Sequence, residues 1–158
     1  MIVEVVIHCL FSYLSTVTFG IVTNVPRKVL NACGITGAVG WMIYWSTKIM
    51  DSGDIFANFL GAMGIGLLSI YFSRRKKMPM TIFNIPSLVP LVPGGPAYQA
   101  VRNIVLGDYI GGAHSIIKVI MTAGAIAAGF MVTGIVERLL KKIVDKNKSV
   151  LKKGVKQK

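Results

Sequence analysis

The stretch NIPSLVPLVPGGPAYQAVRN, residues 84–103, decides the fold because it sets strong helix breakers in an apolar run. It holds four of the six prolines, Pro86, Pro90, Pro93 and Pro96, and Gly94-Gly95 falls between the last two. Such a segment is either a cytoplasmic loop leading into a short helix or a membrane span that is broken midway. The surrounding charges choose between the two.

A helix needs roughly 20 apolar residues to cross the hydrocarbon core. Residues 2–22, 29–47, 55–72 and 116–136 qualify, and residues 81–106 carry Arg102 as their single charge. The turn after the first run has Arg27 and Lys28, and the next has Asp51 and Asp54 with Lys48 at its edge. Then SRRKKMP supplies four basic residues, GDYIGGAH holds Asp108 without Lys or Arg, and the chain from Arg138 onward is strongly basic. Basic loops stay on the cytoplasmic side. Five crossings with the N-terminus outside place every basic loop inside, whereas four leave either RRKK or the basic tail outside. The pattern predicts an all-α integral membrane protein of about five transmembrane helices, the fourth broken by prolines and glycines. Residues 1–140 form the membrane domain and 141–158 a basic cytoplasmic tail. Trp41, Tyr44 and Trp45 then fall at the outer end of the second span, where amphipathic aromatics settle.

Composition agrees: 53% of residues are apolar and the mean hydropathy is +0.63. The 18 Lys and Arg against 6 Asp and Glu face anionic lipid rather than nucleic acid, because no basic patch is interleaved with aromatics. Leu139, Leu140, Ile143, Val144, Val150 and Leu151 can share one face of a tail helix. That helix either lies along the inner surface or runs out into water. Cys9 and Cys33 sit in apolar runs without metal or disulfide spacing, so no metal site and no cofactor is expected. No Ser-His-Asp set or phosphate-binding motif points to an enzyme. The N-terminus lacks the basic region of a secretory signal, so the first run is expected to stay in the mature protein.

Glycines recur at close spacing within the spans: Gly34, Gly37 and Gly40, then Gly61, Gly64 and Gly66, then Gly124, Gly129 and Gly134 with Ala128. In lipid, small residues let helix backbones approach and gain dispersion contacts, within the chain or against a partner. His8 is the imidazole inside a span, either a packing residue or a proton relay, and no Asp or Glu falls mid-span.

Pro86, Pro90 and Pro93 are expected to prevent regular helix through Leu91, and Gly94-Gly95 to turn the chain. Pro96 suits the first position of a new helix, predicted to run from Pro96 to Gly107 and to span about 18 Å. If Gly107 marks the outer interface, that helix starts well inside the bilayer. Its free amides and dipole suit a carboxylate, with the Tyr98 hydroxyl in the first turn. Arg102, further along, either attracts the anion or snorkels to the surface. Pro93, Gly94, Gly95, Pro96, Tyr98 and Arg102 are thus the candidate substrate-binding residues.

Two blocks carry a family resemblance. In TFGIVTNVPRKVLNACGITGAVG, residues Phe19, Asn24, Pro26, Leu30, Cys33, Gly37 and Gly40 fit an F…N-x-P…L…C…G-x-x-G pattern. In NIPSLVPLVPGGPAY, residues Ile85, Pro86, Pro90, Leu91, Pro93, Gly94 and Tyr98 fit I-P…P-L-x-P-G…Y. The chain resembles the threonine/serine exporter family, specifically its C-terminal half. The resemblance implies a bacterial inner-membrane exporter of small carboxylate-bearing metabolites, threonine and serine or a dicarboxylate such as succinate. It also implies the small subunit of a split pair, with a larger membrane partner, and Asn24, Pro26, Gly37, Gly40, Pro86 and Pro90 as structural motif positions. The lysine-rich tail is not part of that pattern. The alternative is a non-transporting scaffold for another membrane protein, which the glycine seams suit and the broken span does not.

Overall fold

A computed structural model describes residues 2–155, with side chains from Val3 to Lys142. The described residues form helices α1 (Ile2–Val22), α2 (Arg27–Ile49), α3 (Asp54–Lys76), α4 (Thr81–Leu88), α5 (Gly94–Val105) and α6 (Tyr109–Val155). A 3₁₀ turn, Val89–Leu91, follows α4. The expected tail begins within α6, and its side chains from residue 143 onward lie outside the described residues.

Among the described residues, three helices are long and apolar enough to cross a membrane: Val3–Val22, Asp54–Lys76 and Tyr109–Lys142. The segment Thr81–Leu91 is a shorter apolar helix, and α2 is diluted by its glycines and its basic and hydroxyl residues. The helices overrun the apolar runs because backbone hydrogen bonding does not stop where hydropathy does. For α6 this adds seven residues before Ile116.

The turns follow from sequence. Asn24 takes a left-handed φ of 58°. Its amide donates to the Ile21 carbonyl at 3.1 Å, and the Val25 amide reaches the Gly20 carbonyl at 2.8 Å. This paired closure ends α1, and Pro26 then sets the extended entry to α2. Gly107, at φ 85°, ends α5 likewise, with the Asp108 amide on the Asn103 carbonyl at 2.9 Å. Asp108 then caps α6, accepting the Gly111 amide at 2.9 Å.

The proline segment differs in detail from expectation. Pro86 lies inside regular helix α4, and α5 starts at Gly94, two residues before Pro96. Gly94 and Gly95 are helical and adopt no positive φ. The interruption is Val92, extended at φ −61°, ψ 129°. The fold tolerates this proline density because each carbonyl that a proline leaves unserved finds another donor. The Ile82 carbonyl, four residues before Pro86, accepts the Cys33 thiol at 3.5 Å. The Pro86 carbonyl takes the Val89 amide. The Val89 carbonyl takes the Val92 amide at 3.4 Å, and the Val92 carbonyl takes the Gly94 amide at 2.8 Å.

The core has two centres. Val29, Ala32, Cys33 and Phe83 pack at the end that carries Val25 and Met78. Ala62, Ile65, Leu91 and Ile126 pack toward the other end, flanked by Trp41 and Tyr44. Glycines let the helices meet. A Cβ on Gly37 would overlap Thr16 of α1, one on Gly61 would lie 3.0 Å from the Gly40 carbonyl, and one on Gly66 would overlap Thr133 of α6. Gly124 and Gly134 face open space and take no part in these seams. Among the described elements α5 packs on α6 alone.

Candidate functional site

Helices α3 and α6 run side by side, with Lys118 beside Asp54, Gly129 beside Ala62 and Thr133 beside Gly66. About 13 Å of α6 therefore precedes the start of α3, by the helical rise over residues 109–118. This part is lined by α5, whose Ile104 lies over Gly112. Where α5 parts from the bundle, a cleft of about 240 Å³ opens between the Val92–Pro96 segment, the C-terminal part of α2, the start of α3 and the Lys118–Thr122 stretch of α6.

One wall is the interruption itself: Val92, Pro93, Gly94, Gly95 and Pro96 all line the cleft. The opposite wall is polar. Lys48 comes from the last turn of α2, Asp54 from the first turn of α3 and Lys118 from α6. Asp54 Oδ1 lies 3.2 Å from Lys48 Nζ, and Oδ2 lies 2.9 Å from Lys118 Nζ. One carboxylate thus bridges two ammonium groups and leaves a net positive charge. The Tyr44 hydroxyl is 3.3 Å from Lys48 Nζ, and Asn58 donates to the Asp54 carbonyl at 2.7 Å. Trp41 closes the inner end, its indole 5.1 Å from the Tyr44 ring.

The proline break is less rich in donors than its sequence suggests. The Gly94 amide is spent on Val92, Pro96 has none, and the Ala97 amide makes the first helical bond to Pro93 at 3.1 Å. The Gly95 amide is left without a backbone acceptor among the described residues. The break also faces Asp54 and Asn58, in the first two turns of α3, rather than the middle of that helix. Tyr98 is 69% exposed, Arg102 is exposed, and neither lines the cleft. Of the structural motif positions, Asn24 and Pro26 lie in the α1–α2 turn, Gly37 and Gly40 in the seams and Pro86 in α4, while Pro90, in the 3₁₀ turn, also lines the cleft.

The sequence reading missed the lysine–aspartate–lysine set, because Lys48 and Asp54 counted there only as loop charges. Lys118 carried the available signal, being the single charged residue of the 116–136 run. His8 touches the site through Trp41, whose Nε1 donates to His8 Nδ1 at 3.3 Å. A larger groove of about 750 Å³ between α1 and α2 is walled mainly by apolar residues such as Leu10, Ile35, Val39 and Met42. It presents few polar groups to orient a solute.

A helical membrane chain with a charged cleft at an interrupted helix has the makings of a transporter. Residues 8–136 match the family described as Threonine/Serine exporter, ThrE, and the chain belongs to that family. An uncharacterized protein of Haemophilus influenzae is similar, 27% identical over 134 residues, which are 80% of this chain and 45% of that protein. The chain thus spans about half the length of this curated relative. No solved structure matches the chain.

Proposed function

We propose that the chain is a subunit of a membrane exporter for small carboxylate-bearing metabolites, and that solute passes through the Val92–Pro96 cleft. The observation that carries this reading is the facing of an interrupted helix by Lys48, Asp54 and Lys118. Interrupted helices at solute sites are a recurrent device of secondary transporters, and two ammonium groups favour an anion. Threonine and serine, or a dicarboxylate such as succinate, are the candidate solutes. A larger membrane partner of the same family, as the split-pair resemblance implies, supplies the rest of the path.

Orientation follows from charge. Arg74 and Lys77 share one end of the molecule with Glu137 and Lys141, and the α1–α2 turn lies at that end beside Thr81. Placing this end in the cytoplasm of a bacterial inner membrane satisfies the positive-inside rule. The cleft then opens toward the outer face, and α2 and the α4–α5 segment complete five crossings. The basic tail of residues 141–158 meets anionic lipid.

The scaffold alternative drew on glycine seams, yet Gly37, Gly40, Gly61, Gly66 and Gly129 are occupied by helix contacts within the chain. Efflux of labelled threonine, serine and succinate tests the proposal, in bacterial cells with and without this chain and its partner. The reading expects solute-specific efflux that needs both subunits. Equal efflux of every solute in cells lacking the chain contradicts it.

A further inference from the structure

We propose that Asp54 is an internal competitor for the anion seat of the cleft. Its carboxylate occupies the two-ammonium cradle of Lys48 and Lys118 that a solute carboxylate takes, so solute binding displaces Asp54. This rests on the transport reading above and assigns the residues that recognise the solute.

Four observations carry it. Each Asp54 oxygen meets a different ammonium, at 3.2 Å and 2.9 Å, which is the arrangement a bound carboxylate would adopt. The three groups come from three helices, so the cradle exists only where α2, α3 and α6 pack together. The cradle adjoins free volume: the cleft of about 240 Å³ equals roughly eight waters at ~30 Å³ each. The pairs are also exchangeable. The Lys48, Asp54 and Lys118 side chains are 52%, 31% and 50% exposed, and exposed pairs of this kind contribute little to stability. Two ammonium groups against one carboxylate keep the seat attractive to an incoming anion. Asp54 meanwhile keeps it filled when no solute is present.

The test is solute binding to the full chain in nanodiscs of phosphatidylethanolamine and phosphatidylglycerol. Trp41 fluorescence reports, in a Trp45→Phe background. The probes are succinate and L-threonine, with propylamine as a control that has no carboxylate. Lys118→Gln should weaken carboxylate binding about tenfold, the loss of one charge-assisted contact. Lys118→Arg, which keeps the charge if the glutamine variant does not insert, should stay within about threefold. Asp54→Asn should tighten both carboxylates about tenfold by vacating the cradle and should leave propylamine unimproved. Asp54→Asn that weakens carboxylates as Lys118→Gln does would make Asp54 a structural tie and overturn the proposal. So would Lys118→Gln that binds as the parent does. Cellular efflux separates the two readings. No efflux with the expected binding pattern ends the transport reading and keeps the seat. Efflux with binding unchanged across the variants does the reverse.

Discussion

The Cys33 thiol lies 3.5 Å from the Ile82 carbonyl, the acceptor that Pro86 leaves without its helical donor. Ser87 returns a hydroxyl to the Cys33 carbonyl at 3.0 Å, so α2 and α4 are tied by a reciprocal pair of bonds. Both side chains are fully buried. Cys33→Ala should lower stability in detergent by about 1 kcal/mol, within the range for one hydrogen bond. In a Pro86→Ala background the Ile82 carbonyl regains its backbone donor, so Cys33→Ala should cost less there. A double-mutant cycle on thermal midpoints measures the difference. Equal costs in the two backgrounds would show that the thiol does not serve Ile82.

Gly129 is held by backbone. A Cβ there would lie 2.7 Å from the Phe59 carbonyl and 3.1 Å from the Met63 amide, and neither can rotate away. Gly129→Ala should therefore force α3 and α6 apart and cost about 1–3 kcal/mol. Gly124, five residues earlier, meets nothing within 4 Å, and Gly124→Ala should be neutral or gain up to about 1 kcal/mol from helix propensity. Thermal unfolding of the two variants side by side checks the contrast.

The Asn24 motif position is conformational. At φ 58° a β-branched side chain is strained, so Asn24→Val should cost about 1–2 kcal/mol. Asn24→Gly should leave the thermal midpoint unchanged or slightly raised, because glycine adopts this φ freely. A glycine variant as unstable as the valine variant would point to a role for the amide side chain.

Orientation and cleft hydration are read by single cysteines in a Cys9→Ala background, with buried Cys33 retained. Cysteines at Ser52 and His114 should react with impermeant thiol reagents from outside, and one at Arg75 only after permeabilisation. A cysteine at Gly95, which borders the cleft, should react with water-soluble reagent. Reaction at Arg75 from outside would invert the assigned topology.

The sequence resolved the helices well where apolar runs were long. The run 2–22 coincides with α1, and 55–72 lies within Asp54–Lys76. It misplaced the restart of α5 because local rules assign Pro96 to a first helical position. In the structure Val92 takes the extended conformation instead and lets Gly94 lead. Pro86 stayed helical through Cys33, 53 positions earlier, a tertiary contact that no local pattern announces. The proline wall of the cleft was legible, since unusual residues mark it. The charged wall was not, because Lys48 and Asp54 flank one turn and read as loop charges, while Lys118, 64 positions after Asp54, becomes their neighbour only when α6 packs on α3. Tyr98 and Arg102 were drawn in by proximity along α5, although both lie outside the cleft lining.

The account stands or falls on whether solute uses the cleft beside Gly94. A Cβ at Gly94 meets no atom within 4 Å, so Gly94→Leu adds bulk at the cleft wall without disturbing the packed helices. The decisive measurement is efflux of the transported solute from cells that express this variant with the partner subunit, at membrane levels matched to the parent. The account predicts that efflux is abolished while insertion and thermal midpoint are retained. Efflux at the parent rate from a correctly inserted Gly94→Leu protein would contradict it.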